Sequence, residues 1–133
     1  GASTPRHEPT SWLLGRRAIA VSAIGNPDAF ARGVREAVGR EDLVEAIALR
    51  DHDAYGAATM SRLHDAVRGH GPDVIVTTRK DWTKLARREG PAVPFAVARL
   101  GLRFRDPGRS GLDMDGSGVM AGVLCLCGTN STR

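Results

Sequence analysis

The sequence has few cysteines and few aromatic residues, and it has no long apolar run. Two cysteines, Cys125 and Cys127, occur among 133 residues, and aromatics make up 5% of the chain. A single residue between two cysteines is poor spacing for a structural zinc site, and nothing else indicates a disulfide framework. We therefore expect a reducing compartment. No stretch is long and apolar enough to predict a membrane span.

The excess of positive charge is small. Nineteen Lys and Arg against fifteen Asp and Glu leave a net charge of +4. Such a surface is usually just solvated, although it also suits contact with phosphates or with an anionic membrane face. No Lys/Arg-rich block with interleaved aromatics indicates a nucleic-acid groove, so we expect no nucleic-acid partner.

Apolar runs and helix-like segments alternate along the chain. The pattern predicts strands near residues 18–22, 43–49, 73–78 and 94–99, and helices near residues 27–38, 56–69 and 81–88. Asn26 as N-cap and Pro27 at the first helical position mark the start of the first helix. This alternation with short connections predicts an α/β fold, a three-layer α/β/α sandwich with a mainly parallel sheet.

The two ends of the chain lack this pattern. We predict a linker or ragged start at residues 1–16, an α/β domain at residues 17–105, and a Gly-rich, poorly ordered tail at residues 106–133. Segments rich in Gly, Ser and Pro without periodicity are expected to pack poorly. Within the tail, residues 119–127 are apolar but interrupted by Gly, which is compatible with one more strand or with no regular structure.

Polar side chains follow the second predicted strand at Asp51, His52 and Asp53. One interpretation is an acid–base pair in which a carboxylate orients the imidazole. Another is a metal site that His64 or Asp73 completes. A polar loop with a helix-capping Asp explains the same residues without any function, because short polar motifs also occur by chance.

Two further segments are candidates for contact with an anion. Residues 77–81 (Thr-Thr-Arg-Lys-Asp) end the third predicted strand, where open α/β sheets bind ligands, and Arg79 and Lys80 suit a phosphate. The alternative is an exposed strand end with Asp81 capping the next helix. Asn26 follows a Gly at a helix N-terminus, which can hold an anion, although a plain turn with an N-cap is the simpler interpretation. The chain contains no Gly-x-x-x-x-Gly-Lys-Ser/Thr phosphate loop.

Three segments have the order and spacing of a known family's motifs. Residues 22–27 read Ser-Ala-Ile-Gly-Asn-Pro, residues 50–55 read Arg-Asp-His-Asp-Ala-Tyr, and residues 76–85 read Val-Thr-Thr-Arg-Lys-Asp-Trp-Thr-Lys-Leu. Together they resemble successive motifs of the tetraacyldisaccharide 4′-kinase family over about residues 17–105. The resemblance implies the C-terminal α/β/α domain of a P-loop-type kinase whose P-loop half is absent.

The resemblance also implies a reaction and its participants. Such a kinase transfers the γ-phosphate of Mg-ATP to the 4′-hydroxyl of a lipid A disaccharide-1-phosphate precursor, as a peripheral protein on the cytoplasmic side of the bacterial inner membrane. Mg-ATP would bind mainly to the absent N-terminal nucleotide-binding domain, so this chain alone would be inactive. An anionic membrane surface is a further candidate partner.

Site residues follow from the same resemblance. The family's base is an aspartate of the absent half, and the His that assists it matches His52, which Asp51 precedes. Lys80, Arg79 and Asn26 are then candidates for binding substrate or phosphate. No cofactor-binding or metal-binding residue is assigned to this chain.

The motifs depart from the family's usual residues at four positions. Ala23 replaces a Gly, and Asp53 replaces the second His of Asp-His-His. Arg79 replaces a Glu, and Gly56 replaces a capping Thr. Because His52 is kept, the chain is interpreted as a divergent member or a fragment of one, and Asp53→His is expected to be tolerated.

Two interpretations from other classes stay open. One is a small metal-dependent phosphoesterase that uses Asp51, His52 and Asp53. The other is a non-catalytic α/β binding domain, in which substitution of His52 would have no effect.

Overall fold

A six-stranded sheet forms the centre of the computed structural model, which describes residues 6–88, 91–101 and 119–126. The strands are β1 (Arg6–Glu8), β2 (Ala18–Ser22), β3 (Leu43–Ala48), β4 (Val74–Thr78), β5 (Phe95–Gly101) and β6 (Val119–Leu126). The helices are α1 (Pro27–Val38), α2 (Ala57–His70) and α3 (Arg79–Leu85), with a 3-10 helix at Thr10–Leu13. Among the helices in these ranges, none is both long and apolar enough to cross a membrane.

The sheet has the strand order β1-β6-β5-β4-β2-β3, and β2 to β5 are its parallel part. The chain passes from β2 outward to β3 and then returns across β2 to β4. The connection that follows β2 therefore runs toward one edge of the sheet, and the connection that follows β4 runs toward the other. This arrangement is a topological switch point, where open α/β sheets bind their ligands.

Helices cover both faces of the sheet because side chains alternate along the buried strands. All five residues of β2 are buried. Ala18 and Ala20 belong to the core under α1, whereas Ile19 and Val21 belong to the core under α2 and α3. The predicted three-layer α/β/α sandwich with a mainly parallel sheet is confirmed.

Helix α3 begins at Arg79, two residues earlier than predicted. Its N-cap is Thr78, whose hydroxyl oxygen accepts a hydrogen bond from the Asp81 N–H at 3.0 Å. The interpretation of an exposed strand end capped by Asp81 is wrong, because Thr77 and Thr78 are both buried and the side chain of Thr78 makes the cap.

Both ends of the chain contribute to the sheet. Strand β6 pairs antiparallel with β5, and β1 pairs antiparallel with β6. Leu13 of the 3-10 helix is fully buried in the core under α1. The expectation of poorly packed ends is therefore wrong for Arg6–Glu8, Thr10–Leu13 and Val119–Leu126, because these segments gain order from partners distant in sequence. For residues 1–5, 102–118 and 127–133 that expectation lies outside the described residues.

Candidate functional site

Three loops meet at the carboxyl ends of β2, β3 and β4. The Leu49 N–H donates to the Ser22 carbonyl at 2.8 Å, and the His52 N–H donates to the Ala23 carbonyl at 3.3 Å. The loop after β3 is thereby attached to the end of β2. Helix α3 starts directly after β4, so the structure brings residues 22–27, 50–55 and 76–85 to one edge of the sheet.

Asp51, His52 and Lys80 form an exposed group at this edge. The Nε2 atom of His52 lies 3.8 Å from Asp51 Oδ2, and Lys80 Nζ lies 3.9 Å from Asp51 Oδ1. Their side chains are 73% (His52), 47% (Asp51) and 52% (Lys80) exposed. Exposed ion pairs contribute about 0–1 kcal/mol to stability. The group therefore adds little to the fold and is accessible to a ligand or to another protein surface.

Arg79 and Asn26, the other two residues predicted to contact phosphate, lie outside this group. Arg79 is exposed beside Lys80 in the first turn of α3. The Oδ1 atom of Asn26 accepts the Ala29 N–H at 3.2 Å, so Asn26 is the N-cap of α1. Its role toward phosphate stays a prediction.

Asp53 does not join Asp51 and His52 in a common ligand set. Its Oδ1 atom accepts the Tyr55 N–H at 2.7 Å and the Thr59 hydroxyl at 3.1 Å. Its carbonyl accepts a hydrogen bond from Lys84 Nζ at 2.9 Å. Asp53 therefore connects the segment that leads into α2 with the side chain of Thr59 in the first turn of that helix.

The metal-site interpretation fails for the part of the chain that the structure describes. There, no group of three or more His, Cys, Asp or Glu side chains could hold a metal ion. Asp73 precedes β4, at the opposite edge of the sheet, where it accepts the Arg17 N–H at 3.0 Å. Completion of an Asp51–His52 metal site by Asp73 is therefore wrong, and His64 does not complete one either.

Asp81 and Tyr55 are deeply buried polar residues at this edge, and the sequence patterns did not assign them to the site. Asp81 is 1% exposed, and its Oδ1 atom accepts both the Ala23 N–H at 3.0 Å and the Tyr55 hydroxyl at 2.9 Å. Its Oδ2 atom accepts the Thr78 hydroxyl. The signal in the sequence is the capping-box spacing of Thr78 and Asp81. Tyr55 is the sole tyrosine of the chain.

Tyr55 is held as a protonated hydrogen-bond donor. Burial raises the pKa of the Tyr55 phenol above its usual range, and the charge of Asp81 and its hydrogen bond raise it further. Asp53 adds a smaller effect of the same sign, which a hydrogen bond with Thr77 opposes. The phenol therefore donates to the Asp81 carboxylate throughout the physiological pH range.

The loop after β3 has an unusual backbone. His52 and Tyr55 have positive φ values of 66° and 57°. The left-handed conformation costs an L-residue about 1–2 kcal/mol. Such strain persists where surrounding contacts fix it, and it clusters at functional sites.

A basic cleft of about 290 Å³ lies next to this loop, lined by Ala54, Lys84, Arg87 and Arg88. Arg87 and Arg88 are exposed in the turn after α3. Three cationic side chains around one cleft favour an anionic group there.

A comparison with protein families identifies the chain. The family model described as tetraacyldisaccharide-1-P 4′-kinase matches residues 2–113. The chain belongs to this family. Its match includes all three motif segments, so the resemblance found in the sequence is confirmed.

Curated members of the tetraacyldisaccharide 4′-kinase family are similar to this chain along most of its length. The protein of that name from Geobacter metallireducens is 38% identical over 97 residues, which cover 73% of this chain and 26% of the relative. The one from Geobacter sulfurreducens is 34% identical, covering 75% and 27%. The one from Brucella abortus is 36% identical, covering 74% and 29%. The chain thus spans little more than a quarter of their length. No solved structure matches it.

The described residues do not form the kind of ATP site that kinase membership implies. The sequence has no phosphate loop, and the described part contains no group of three metal-ligating side chains. We therefore assign no contact with the metal or the nucleotide to the residues of this chain.

Proposed function

We propose that this chain is the part of a tetraacyldisaccharide 4′-kinase that carries His52 and one wall of the disaccharide-phosphate cleft. The whole protein would transfer the γ-phosphate of ATP to the 4′-hydroxyl of a lipid A disaccharide-1-phosphate precursor. The main support is that three family motifs converge at the switch point of the sheet, within the residues that the family model matches.

His52 and Asp51 are the proposed catalytic residues. Phosphoryl transfer depends mostly on positioning and electrostatics, so a cleft between two domains suits it. The His52 imidazole is largely exposed, so it is accessible to a substrate hydroxyl or to a base carried by another domain. Asp51 would orient the imidazole, while Lys80 and Arg79 would meet a substrate phosphate. Asn26 would be a further contact of this kind, and its side chain also caps α1.

The proposed partners lie outside this chain. An N-terminal nucleotide-binding domain would bind Mg-ATP, and without it this chain would be inactive. The protein would act on the cytoplasmic side of the bacterial inner membrane. The basic cleft at Lys84, Arg87 and Arg88 supports contact with anionic lipid, since each cation near such a surface contributes about 1 kcal/mol.

A chimaera tests the proposal. Residues 6–126, which span all the strands described above, would replace the corresponding segment of the Geobacter metallireducens relative, and transfer of labelled γ-phosphate to a tetraacyldisaccharide 1-phosphate would be measured. We expect turnover by the chimaera, none by the relative lacking this segment, and neither turnover nor micromolar ATP binding by the 133-residue chain. A folded but inactive chimaera would contradict the proposal.

A further inference from the structure

The buried carboxylate of Asp81 connects all three loops of the site. It accepts the backbone N–H of Ala23 after β2, the hydroxyl of Tyr55 after β3, and the hydroxyl of Thr78 at the end of β4. Asp81 itself sits in the first turn of α3. Ala23 and Asp81 are 58 positions apart, so this contact joins distant parts of the chain.

Two short paths lead from Asp81 to His52. The Ala23 N–H donates a hydrogen bond to Asp81, and the Ala23 carbonyl accepts one from the His52 N–H. The hydroxyl of Tyr55, three residues after His52, donates a hydrogen bond to Asp81 Oδ1, the oxygen that also accepts the Ala23 N–H. Because both His52 and Tyr55 hold positive φ, the loop needs contacts of this kind to keep its shape.

We propose that Asp81 is a positioning residue: through Tyr55 and Ala23, its buried carboxylate fixes the loop that presents His52 and thereby sets turnover. The effect on turnover rests on the proposed kinase function, whereas the attachment of the loop does not. Asp81 is 1% exposed, so it acts through its neighbours and not on a substrate.

A carboxylate suits this position for a physical reason. An ionised carboxylate only accepts hydrogen bonds, and its buried charge is tolerated when several donors satisfy it. Asp81 has three: one backbone N–H and two hydroxyls. Alanine would leave the Ala23 N–H and the Tyr55 hydroxyl buried without this acceptor. Asparagine keeps one acceptor oxygen and nearly the same shape, which makes it the conservative variant.

The first arm of the test uses the 133-residue chain, in which Tyr55 is the only tyrosine. Phenolate absorbance at 295 nm and helical circular dichroism would be followed together as the pH is raised. In the wild type, ionisation should coincide with alkaline unfolding. In Asp81→Asn it should occur at lower pH. Ionisation of wild-type Tyr55 near pH ~10, the value for a free phenol, while the helices stay intact would overturn the proposal.

The second arm measures amide exchange at His52 in the same chain. Tyr55→Phe removes one hydroxyl and keeps the buried ring, so exchange at His52 should be faster by about tenfold, which corresponds to ~1.4 kcal/mol and lies within the usual net contribution of one hydrogen bond. Val34→Ala is the control, because Val34 is fully buried under α1 on the other face of the sheet. Equal protection of His52 in Tyr55→Phe and the wild type would contradict the attachment.

The third arm measures kinetics in the chimaera. Asp81→Ala and Tyr55→Phe should lower kcat by about 10–100-fold, because a displacement of ~1 Å at a reacting group has an effect of that size. KM for ATP should not change, Asp81→Asn should retain more turnover than Asp81→Ala, and Val34→Ala should keep wild-type kcat below its melting temperature. Unchanged kcat in both Asp81→Ala and Tyr55→Phe would refute the positioning role.

These arms separate the two proposals. A wild-type chimaera without turnover refutes the kinase function. His52 exchange that depends on Tyr55 would still support the attachment by Asp81 in that case. Normal turnover with an unprotected His52 loop would support the kinase function and refute the attachment.

Discussion

At the scale of single residues, the loop after β3 divides its polar side chains between two roles. Asp51 and His52 are exposed, whereas Asp53 and Tyr55 bond to the start of α2 and to Asp81. Asp53 and Tyr55, the inward pair, stabilise the strained backbone of the loop. Asp51 and His52, the outward pair, are accessible to a ligand. Neighbouring residues in one motif therefore do different work.

His52→Ala tests the outward role. In the chimaera, we expect turnover to fall by about 10²–10⁴-fold, the usual range for a lost acid–base group. The melting temperature should change little, because the side chain is 73% exposed. His52→Gly is the matched control, since glycine adopts the φ of 66° without strain but also lacks the imidazole. Wild-type turnover in either variant would show that the imidazole is not catalytic.

Asp53→His tests the inward role. The family motif alone suggests that this change is tolerated, but Asp53 Oδ1 accepts from both the Tyr55 N–H and the Thr59 hydroxyl. An imidazole nitrogen cannot replace a carboxylate oxygen that accepts twice, so we expect a loss of about 0.5–1.5 kcal/mol, the usual net contribution of a hydrogen bond. Asp53→Asn keeps the acceptor and should lose less. Urea denaturation of the 133-residue chain measures both, and equal stability of Asp53→His and the wild type would refute this assignment.

At the scale of elements, local patterns predict what local forces decide. Strand β2 is a continuous apolar run, and α1 has its cap and proline in sequence, so both were predicted with the correct bounds. The antiparallel partners β1 and β6 were not, because a three-residue strand and a Gly-interrupted strand become ordered only through pairing with distant segments. The same limit applies to the site. Asp51, His52 and Lys80 were visible as motifs, but the role of Asp81 depends on Ala23 and Tyr55, which only the fold brings near.

Two substitutions of Asn26, at the start of α1, distinguish its role as a helix cap from a role in binding phosphate. Asn26→Ala removes the acceptor for the Ala29 N–H and should lower the free energy of unfolding by about 0.5–2 kcal/mol. Asn26→Asp keeps the acceptor and adds a charge that the helix dipole favours, so its stability should match or exceed that of the wild type. If Asn26 also binds a substrate phosphate, the Asp variant should raise KM for the lipid substrate in the chimaera. Equal stability of Asn26→Ala and the wild type in urea would contradict the capping role.

At the scale of the whole molecule, the sheet contains two more strands than the four-stranded parallel part that carries the motifs. The parallel strands β2 to β5 place the site, and β6 and β1 extend the sheet beyond β5 in antiparallel order. The 3-10 helix that follows β1 packs against the core under α1. Part of the segment expected to be a linker therefore belongs to the core under α1.

Leu13 and Leu14 give a matched test of whether the 3-10 helix belongs to the core under α1. Leu13 is 0% exposed in the core under α1, while its neighbour Leu14 is 66% exposed. Leu13→Ala should lower the free energy of unfolding by about 2–5 kcal/mol, because it removes buried methyl groups and leaves a cavity. Leu14→Ala should change it by no more than about 0.5 kcal/mol, as for a surface position. Both are measured by urea denaturation of the 133-residue chain, with unchanged m-values indicating that the unfolding transition is the same. A linker would make the two variants equal, and that result would remove residues 10–13 from the core.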